Sequence, residues 1–336
     1  KTWASHVSEV RFYVKACALQ HVEPWPITVY TLEAFVAVLK KFTYRGIPQY
    51  VGAVFRQSRL IGMLPDPIVE DRKGMILRAA RRDLGPAKQM EPVTAAMLMA
   101  IAAALRRAFQ AGAVKVKTLV IFAVCVVEWF FLLRCSEARA IRCSRVRFGT
   151  AASLALKRGA KPRLFSPVEV LRMGVRPCEG AERFRVALEI ASSKMDQEAK
   201  GVTRMLDCVC TEGCDVFNIF VCPVHALAFI LADKKMEAKP PPTLGERHKI
   251  DTGDIIEFLR RYLKHIGIVV TDDELGQLYA SHSLRRGGVQ ALAKAGWDLD
   301  TLRAFGRWAS YIIEVYLLET PLEERGHLLA ASMLSH

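Results

Sequence analysis

The sequence has 336 residues, of which 51% are hydrophobic, so it can bury a large core and is long enough for two domains. Its 48 lysines and arginines outnumber its 34 acidic residues, and the formal charge of +14 favours a polyanionic partner, with nucleic acid ahead of an anionic membrane. Nine cysteines without a secretory leader argue against a disulfide scaffold and for a reducing compartment.

The first stretch, to about residue 84, alternates apolar helical patterns with short breaks. The segments HVSEVRFYVKACALQ, TLEAFVAVLKKFTY, PQYVGAVFRQSRLIGML and IVEDRKGMILRAARRDL predict four or five amphipathic helices. Positive residues recur on their polar faces, namely Lys40, Lys41, Arg45, Arg56, Arg59, Arg78, Arg81 and Arg82. A basic helix face is often only a solvated face, but its recurrence on successive helices favours contact with DNA.

A linker and a very apolar helix follow. GPAKQMEPV combines glycine, prolines and polar residues, so we assign residues 87–93 to a linker and expect a new helix from about Thr94. The run LVIFAVCVVEWFFLL contains Glu128 and is shorter than the roughly 20 residues that cross a bilayer, so it predicts a buried core helix. We expect this helix to end in LLRCSEARAI, residues 132–141.

The residue pattern changes between positions 142 and 210. IRCSRVRFG, FRVALEIASS and VTRMLDCVC are short, rich in β-branched residues and partly alternating, so they predict a sheet of about three strands. The segment KMDQEAKG joins the last two and places Lys194 at a hairpin tip. Helices then return, interrupted by KPPPTLG. We therefore predict a mainly α fold with a small antiparallel β-sheet, in two domains at 1–86 and 94–336.

Several enzyme classes lose their support because their motifs are absent. The sequence has no GxxxxGK[ST], GxGxxG, HExxH or GxSxG pattern. What remains is a set of side chains suited to a phosphodiester: Arg134, Lys194, His282, Arg285, Trp308 and Tyr316. Arginines present planar donor forks to phosphate oxygens, and a tyrosine hydroxyl can attack phosphorus to form a covalent intermediate.

These residues occur in segments that resemble the motifs of the tyrosine recombinases (phage integrase superfamily), over nearly the whole chain. LLRCSEARAI resembles the first arginine box, SSKMDQEAKG the hairpin with the catalytic lysine, and SHSLRRGGVQALAKAG the His-x-x-Arg box. GRWASYIIEVY resembles the final segment with the nucleophilic tyrosine. A tyrosine eight residues after the GRW tryptophan looks most like the recombinases of DIRS-type retrotransposons.

The resemblance implies a two-domain architecture, in which a helical core-binding domain and a catalytic domain clamp double-stranded DNA. Tyr316 would form a 3′-phosphotyrosine, Arg134 and Arg285 would hold the phosphate, and Lys194 would protonate the leaving oxygen. Glu137 would support the first arginine, and His282 and Trp308 would orient the phosphate and nucleophile. The family implies site-specific recombination by a mobile element, with no cofactor, no small-molecule substrate and a homotetramer on two DNA sites.

The location expected for such a protein is intracellular, in the nucleus of a eukaryote and otherwise in the cytoplasm, without membrane association. Because the first residue is Lys1, a native N-terminus with a targeting segment could be missing.

Each assignment has a structural alternative. Arg134 and Glu137 are three residues apart and could form a plain helix ion pair, while His282 could cap a helix and Trp308 could be a core residue. Lys200 competes with Lys194, and Tyr311 with Tyr316, although the family spacing favours Tyr316. Many family members also have a histidine where this chain has Arg307. A type IB topoisomerase and a non-cutting DNA-binding protein are the rival functions.

A cysteine-rich segment stands outside this scheme. CVCTEGCDVFNIFVCPVHAL offers soft ligands close together that could hold zinc: Cys208, Cys210, Cys214, Cys222 and His225. The spacing is irregular, and CPVHAL resembles a stretch that family relatives carry without a metal. We therefore predict no metal here and keep zinc as the alternative.

Overall fold

The computed structural model describes residues 3–42, 44–82, 89–154, 164–173, 184–190, 201–210, 221–232, 243–273, 276–308 and 313. Its contacts divide the chain into two units, Lys1–Gln89 and Met90–His336. Lys194, Lys200, Cys214, Tyr311 and Tyr316 lie outside the described residues.

The first unit consists, where described, of α1 (Trp3–Leu19), α2 (Val29–Lys41), α3 (Ile47–Leu60) and α4 (Pro67–Arg82). Thr28 begins α2 because its hydroxyl accepts a hydrogen bond from the Thr31 backbone N–H at 3.2 Å. The apolar faces meet in a core that includes Tyr13, Leu32 and Phe35, all buried. The helical content predicted for this part of the chain is therefore correct.

The basic side chains of the first unit lie at its surface. Lys40 is half-buried, and the others are exposed: Lys41, Arg45, Arg56, Arg59, Arg78, Arg81 and Arg82. Arg59 is partly neutralised, because its Nη2 lies 3.0 Å from Glu70 Oε1. The structure thus leaves most of these cations accessible to solvent.

The second unit is mainly helical and contains two small sheets in its described part. Its elements are α5 (Ala95–Gln110), α6 (Val116–Phe130), α7 (Cys135–Arg139), a 3₁₀ turn (Cys143–Arg145), β1 (Val146–Thr150), α8 (Ala151–Leu154), α9 (Pro167–Met173), β2 (Phe184–Ile190), β3 (Val202–Asp207), α10 (Pro223–Leu231), α11 (Leu244–His248), α12 (Thr252–His265), β4 (Thr271–Asp272), β5 (Gly276–Gln277), α13 (Ser283–Lys294) and α14 (Leu299–Gly306).

Helix α6 forms the centre of this unit. Every residue from Leu119 to Trp129 is buried, and α6 packs against α10, α12 and α13, which confirms the predicted core helix. Among the described residues, no helix combines the length and hydrophobicity that a membrane crossing needs.

The end of α6 corrects one prediction. The helix stops at Phe130 and does not continue into LLRCSEARAI, because Leu132 adopts a left-handed conformation with φ of +50°. The Leu133 N–H closes the turn on the Glu128 carbonyl at 3.0 Å, and a separate helix α7 begins after Arg134. The sharp turn therefore places Arg134 at the start of a new helix.

The three-stranded sheet is antiparallel, in the order β1, β2, β3. Phe148 pairs with Val186, and Ile190 pairs with Val202. The predicted strands are thus confirmed, and Lys194 belongs to the connection between Ile190 and Val202.

Candidate active site

A single carboxylate, that of Glu137 in the first turn of α7, forms the centre of the candidate site. Its Oε1 accepts a hydrogen bond from Arg134 Nη1 at 2.6 Å, and its Oε2 accepts one from the Arg134 backbone N–H at 2.9 Å. The Oε2 atom also lies 3.4 Å from Arg285 Nη1 and 2.7 Å from Arg307 Nη2. Glu137 thus joins residues that are up to 170 positions apart in the sequence.

Arg285, in the first turn of α13, is the most deeply buried arginine of this cluster. Its side chain is 1% exposed, its Nη2 donates to the Gly306 carbonyl, and its guanidinium lies 4.0 Å from the centre of the Trp308 ring. The tryptophan therefore covers the arginine by a cation–π contact, and Trp308 is both a core residue and a member of the site.

Two glycines let α13 approach the segment before α5 and helix α6 closely enough for this placement. A Cβ on Gly287 would come within 1.8 Å of the Val93 carbonyl oxygen, and a Cβ on Gly288 within 2.2 Å of the Trp129 carbonyl oxygen. Backbone atoms cannot yield as a flexible side chain does, so both positions require glycine. The RRGG sequence thus combines a buried arginine with the close helix contact that positions it.

Gly306 has a similar role for the tryptophan. A Cβ at this position would lie 1.6 Å from Trp308 Cζ3, so only glycine lets the ring fold back over the end of α14. The turn between them is made by Arg307, which has a left-handed φ of +61°. This conformation is uncommon for a residue with a side chain, and it directs Arg307 toward Glu137.

Arg307 joins this cluster without having an assigned role in the sequence motifs. The sequence marks it only as the residue that replaces the histidine of many tyrosine recombinases, whereas the structure pairs it with Glu137. The only sign in the sequence is that an arginine occupies this position of the GRW segment. Its conformation and its partner depend on tertiary structure.

The electrostatics favour an ionised carboxylate within a positive site. Burial alone would raise the pKa of Glu137, but Arg307, the Arg134 N–H and guanidinium, and Arg285 together lower it below its usual value. Burial lowers the pKa of Arg307, and Glu137 opposes that shift. Three guanidinium charges minus one carboxylate charge leave +2, which suits a phosphate anion.

Access to these three arginines differs. The side chain of Arg134 is 23% exposed, that of Arg307 is 10% exposed and that of Arg285 is 1% exposed. An anion arriving from solvent therefore meets Arg134 first.

His282 stands at the first end of α13, as its N-cap residue, and is exposed. It does not cap the helix with its side chain. Ser283 Oγ accepts a hydrogen bond from the Ala280 N–H at 3.0 Å and so stabilises the preceding turn. His282 and Arg285 thus lie on one helix turn, with the imidazole toward solvent and the guanidinium in the interior.

The hairpin strand β3 is connected to the end of α14. Arg204 Nη2 donates to the Ala304 carbonyl at 2.6 Å, and its Nε donates to the Phe305 carbonyl at 3.2 Å. These bonds satisfy carbonyls at a helix C-terminus, where the helix dipole also favours a cation. The strand that follows the Lys194 connection is therefore fixed to the segment that precedes Arg307 and Trp308.

Comparisons with known proteins identify the fold. No family model and no curated protein matches this sequence. A XerH site-specific recombinase bound to difH substrate in a pre-cleavage complex is 12% identical, with a TM-score of 0.52 over 94% of this chain and 74% of that chain. A lambda integrase(75-356) dimer bound to a COC′ core site is 13% identical, with a TM-score of 0.53 over 93% of this chain and 87% of that chain. The chain has the fold of these two proteins, and the predicted fold class is confirmed.

Proposed function

We propose that this chain is a DNA strand transferase of the tyrosine recombinase type, which cuts and rejoins duplex DNA at specific sites. The observation that carries the proposal is the convergence of Arg134, Arg285 and Arg307 on Glu137, because it joins three of the family-like motifs in one buried, positive cluster. The shared fold with a site-specific recombinase and an integrase, both solved on DNA, supports the same conclusion.

In the proposed reaction the Tyr316 hydroxyl releases its proton to solvent and its oxygen attacks the scissile phosphorus. The bond from phosphorus to the 5′ oxygen breaks, and Lys194 gives that oxygen its proton. A 3′-phosphotyrosine remains, which a 5′ hydroxyl of another strand attacks to restore the phosphodiester and release Tyr316. Bond making balances bond breaking, so rejoining needs no external energy source.

The arginine cluster has a defined part in this scheme. Arg134, the most exposed of the three arginines, contacts the nonbridging oxygens. Arg285 supplies positive charge from the protein interior. Glu137 holds both guanidiniums in place and prevents their mutual repulsion from spreading the site. His282 and Trp308 orient the phosphate and the nucleophile. Basic residues of the first unit contact the DNA backbone, namely the half-buried Lys40 and the exposed Lys41, Arg45, Arg56, Arg59, Arg81 and Arg82.

A test of this proposal uses duplex DNA with a nick beside many different phosphates, so that a cleaved end diffuses away and traps the adduct. The protein is mixed with the DNA, denatured and digested, and mass spectrometry identifies the tyrosine that carries a nucleotide. We expect the adduct on Tyr316 and its loss in Tyr316→Phe. The matched control, Tyr311→Phe, retains it. An adduct on Tyr311 would show that Tyr311, and not Tyr316, is the nucleophile. The absence of any adduct on a substrate with a defined binding site would contradict the proposed cleavage activity.

The finer assignment is a recombinase of a mobile element, similar to the DIRS-type proteins, that acts as a homotetramer on two DNA sites. Mass photometry of the protein on one-site and two-site DNA distinguishes it from a type IB topoisomerase. A recombinase gives four protomers on two sites and produces exchanged strands. A topoisomerase gives monomers that relax supercoiled DNA, and a non-cutting relative binds DNA without either product.

A further inference from the structure

Four potential metal ligands converge in the second unit, away from Glu137. Cys208 and Cys210 follow the end of β3, and Cys222 and His225 stand at the start of α10. Their ligand atoms all lie within 4.8 Å of one another. Cys208, Cys222 and His225 are buried, and Cys210 is half-buried.

Three of the six separations between the ligand atoms match those of a tetrahedral zinc site. Zinc bonds of about 2.3 Å to sulfur and about 2.05 Å to nitrogen would place two sulfurs about 3.8 Å apart and a sulfur and a nitrogen about 3.6 Å apart. The observed separation is 3.6 Å between Cys208 Sγ and Cys222 Sγ. His225 Nδ1 lies 3.7 Å from Cys208 Sγ and 3.4 Å from Cys210 Sγ. These three values agree with the tetrahedral separations to within about 0.2 Å.

We propose that Cys208, Cys210, Cys222 and His225 bind one structural Zn²⁺ ion. Three thiolates and an imidazole are a known closed zinc ligand set, and four protein ligands leave no position for a substrate. The site therefore has a structural role. It differs from the prediction made from sequence, because the irregular spacing hides a regular arrangement in space.

The proposed ion would fasten two elements that come from different parts of the chain. The Cys208 backbone N–H donates to the Phe184 carbonyl at 2.7 Å, which continues the pairing of β3 with β2. Cys222 is the N-cap residue of α10, a helix that packs against α6. Zinc would thus join the base of the β2–β3 hairpin to the central helices.

The histidine differs in one respect from most zinc ligands. Binding through Nδ1 leaves the ring proton on Nε2, and that atom is buried with no hydrogen-bond partner among the described residues. A zinc-bound histidine usually donates this proton to an acceptor that fixes the ring. Here the complete burial of His225 restrains the ring instead.

A disulfide is the main alternative for these cysteines. The Cys208 and Cys222 sulfurs are 3.6 Å apart, well beyond the roughly 2.05 Å of a sulfur–sulfur bond. The seven described cysteines are all free thiols. A buried packing of neutral thiols is the second alternative, and it would leave the metal content at zero.

The test uses the full chain without a polyhistidine tag, purified under reducing conditions. We expect one zinc per chain by elemental mass spectrometry. Replacement of zinc by Co²⁺ should give the visible bands of a tetrahedral ion and thiolate-to-metal charge-transfer bands. X-ray absorption at the zinc edge should report three sulfurs and one nitrogen. These readouts need no DNA, so they are independent of the proposed strand transfer.

Variants identify the ligands. Cys210→Ser and Cys222→Ser should each abolish stoichiometric zinc at micromolar chelator, whereas Cys143→Ser, at a half-buried cysteine outside the cluster, should keep one zinc. The Co²⁺ spectrum of the unaltered chain remains decisive if a variant fails to fold. Wild-type protein with no zinc and no thiolate–Co²⁺ bands would overturn the proposal, as would a Cys208–Cys222 disulfide in the reduced preparation.

Discussion

Arg307 Nη2 lies 2.7 Å from Glu137 Oε2, and this ion pair connects the residue after α14 to the first turn of α7. The same oxygen receives Arg285, and the other carboxylate oxygen receives Arg134. Glu137 is thus the shared partner of three cations in a region where its own side chain is only 6% exposed. Stability and proposed activity both depend on that sharing.

Replacement of Glu137 by alanine should destabilise the fold strongly. Removing one partner of a buried ion pair leaves an uncompensated charge, so we expect a loss of about 3–5 kcal/mol in the free energy of unfolding. Urea denaturation measures it. Glu189→Ala is the control, because Glu189 pairs with Arg145 near the surface and should cost no more than about 1 kcal/mol. Equal losses in the two variants would contradict this account.

The same residue should make the fold acid-sensitive. Because the arginines lower the pKa of Glu137 in the folded protein, its stabilising effect is present above the pKa of the unfolded chain. It is lost as the pH falls through the lower, folded pKa. Glu137→Gln should therefore reduce the slope of stability against pH in the acid range. Chemical denaturation in steps from pH 6 downward measures both slopes, and identical slopes would disprove the assignment.

Glu128 should have the opposite pH dependence. Burial in α6 raises its pKa to about 8, although the Cys135 thiol opposes the shift. The unfolded chain releases this proton at its ordinary pKa, so stability declines as the pH rises toward 8 and then levels off. At pH 7 the deficit is on the order of 3 kcal/mol.

Glu128→Gln keeps the shape of the side chain and removes its ionisation. We expect the variant to exceed the wild type at pH 8 by on the order of 4 kcal/mol and to match it near pH 4.5. Calorimetric unfolding at several pH values provides the comparison. The exposed Glu33→Gln should show no such trend. A constant offset between Glu128→Gln and the wild type at every pH would refute the prediction.

Arg307 should be needed for strand cleavage as a positioning residue. In the nicked-DNA assay, Arg307→Ala should slow adduct formation at least about tenfold, since its loss frees Glu137 to move. Arg307→His should retain most of the rate, because a protonated imidazole can replace the cation. Arg303→Ala, on the helix that precedes Arg307, is the control, because Arg303 lies 3.6 Å from the exposed Asp300. A rate unchanged in Arg307→Ala, with Tyr316 still the nucleophile, would remove Arg307 from the site.

Gly287 should tolerate no side chain. Gly287→Ala places a Cβ 1.8 Å from the Val93 carbonyl, so α13 must shift, and we expect a loss of about 2–4 kcal/mol. Gly74→Ala, in α4, meets nothing within 4 Å and should stabilise its helix by about 0.5–1 kcal/mol. Thermal unfolding of both variants gives the comparison, and a neutral Gly287→Ala would show that the contact is adaptable.

Much of the fold could be predicted from sequence because helical periodicity and strand alternation are local signals. The burial of α6 and the three strands follow from that pattern. The end of α6 could not be predicted, since Leu132 adopts a left-handed conformation that leucine itself disfavours. Only the turn that follows makes this conformation favourable.

The candidate site also has residues that could be predicted from the sequence and residues that could not. Arg134, Glu137 and Arg285 were predicted from the resemblance of their segments to the tyrosine recombinase motifs, and the structure brings them together. The contribution of Arg307 could not be predicted, because it depends on a left-handed residue and on a partner 170 positions away. The convergence of Cys208, Cys210, Cys222 and His225 could not be predicted for a similar reason, because their distances are set by how β3 meets α10.

The segment before α5 has a mechanical consequence. The Glu91 N–H bonds to the Leu278 carbonyl, the Val93 N–H bonds to the Ser283 carbonyl, and the Met90 carbonyl receives Arg286. Trp129 adds a fourth bond to Val93. Tension applied to the chain at residue 90 is therefore borne by the first turn of α13, the turn that carries Arg285. A pull on this segment therefore reaches the turn of Arg285 directly through these hydrogen bonds.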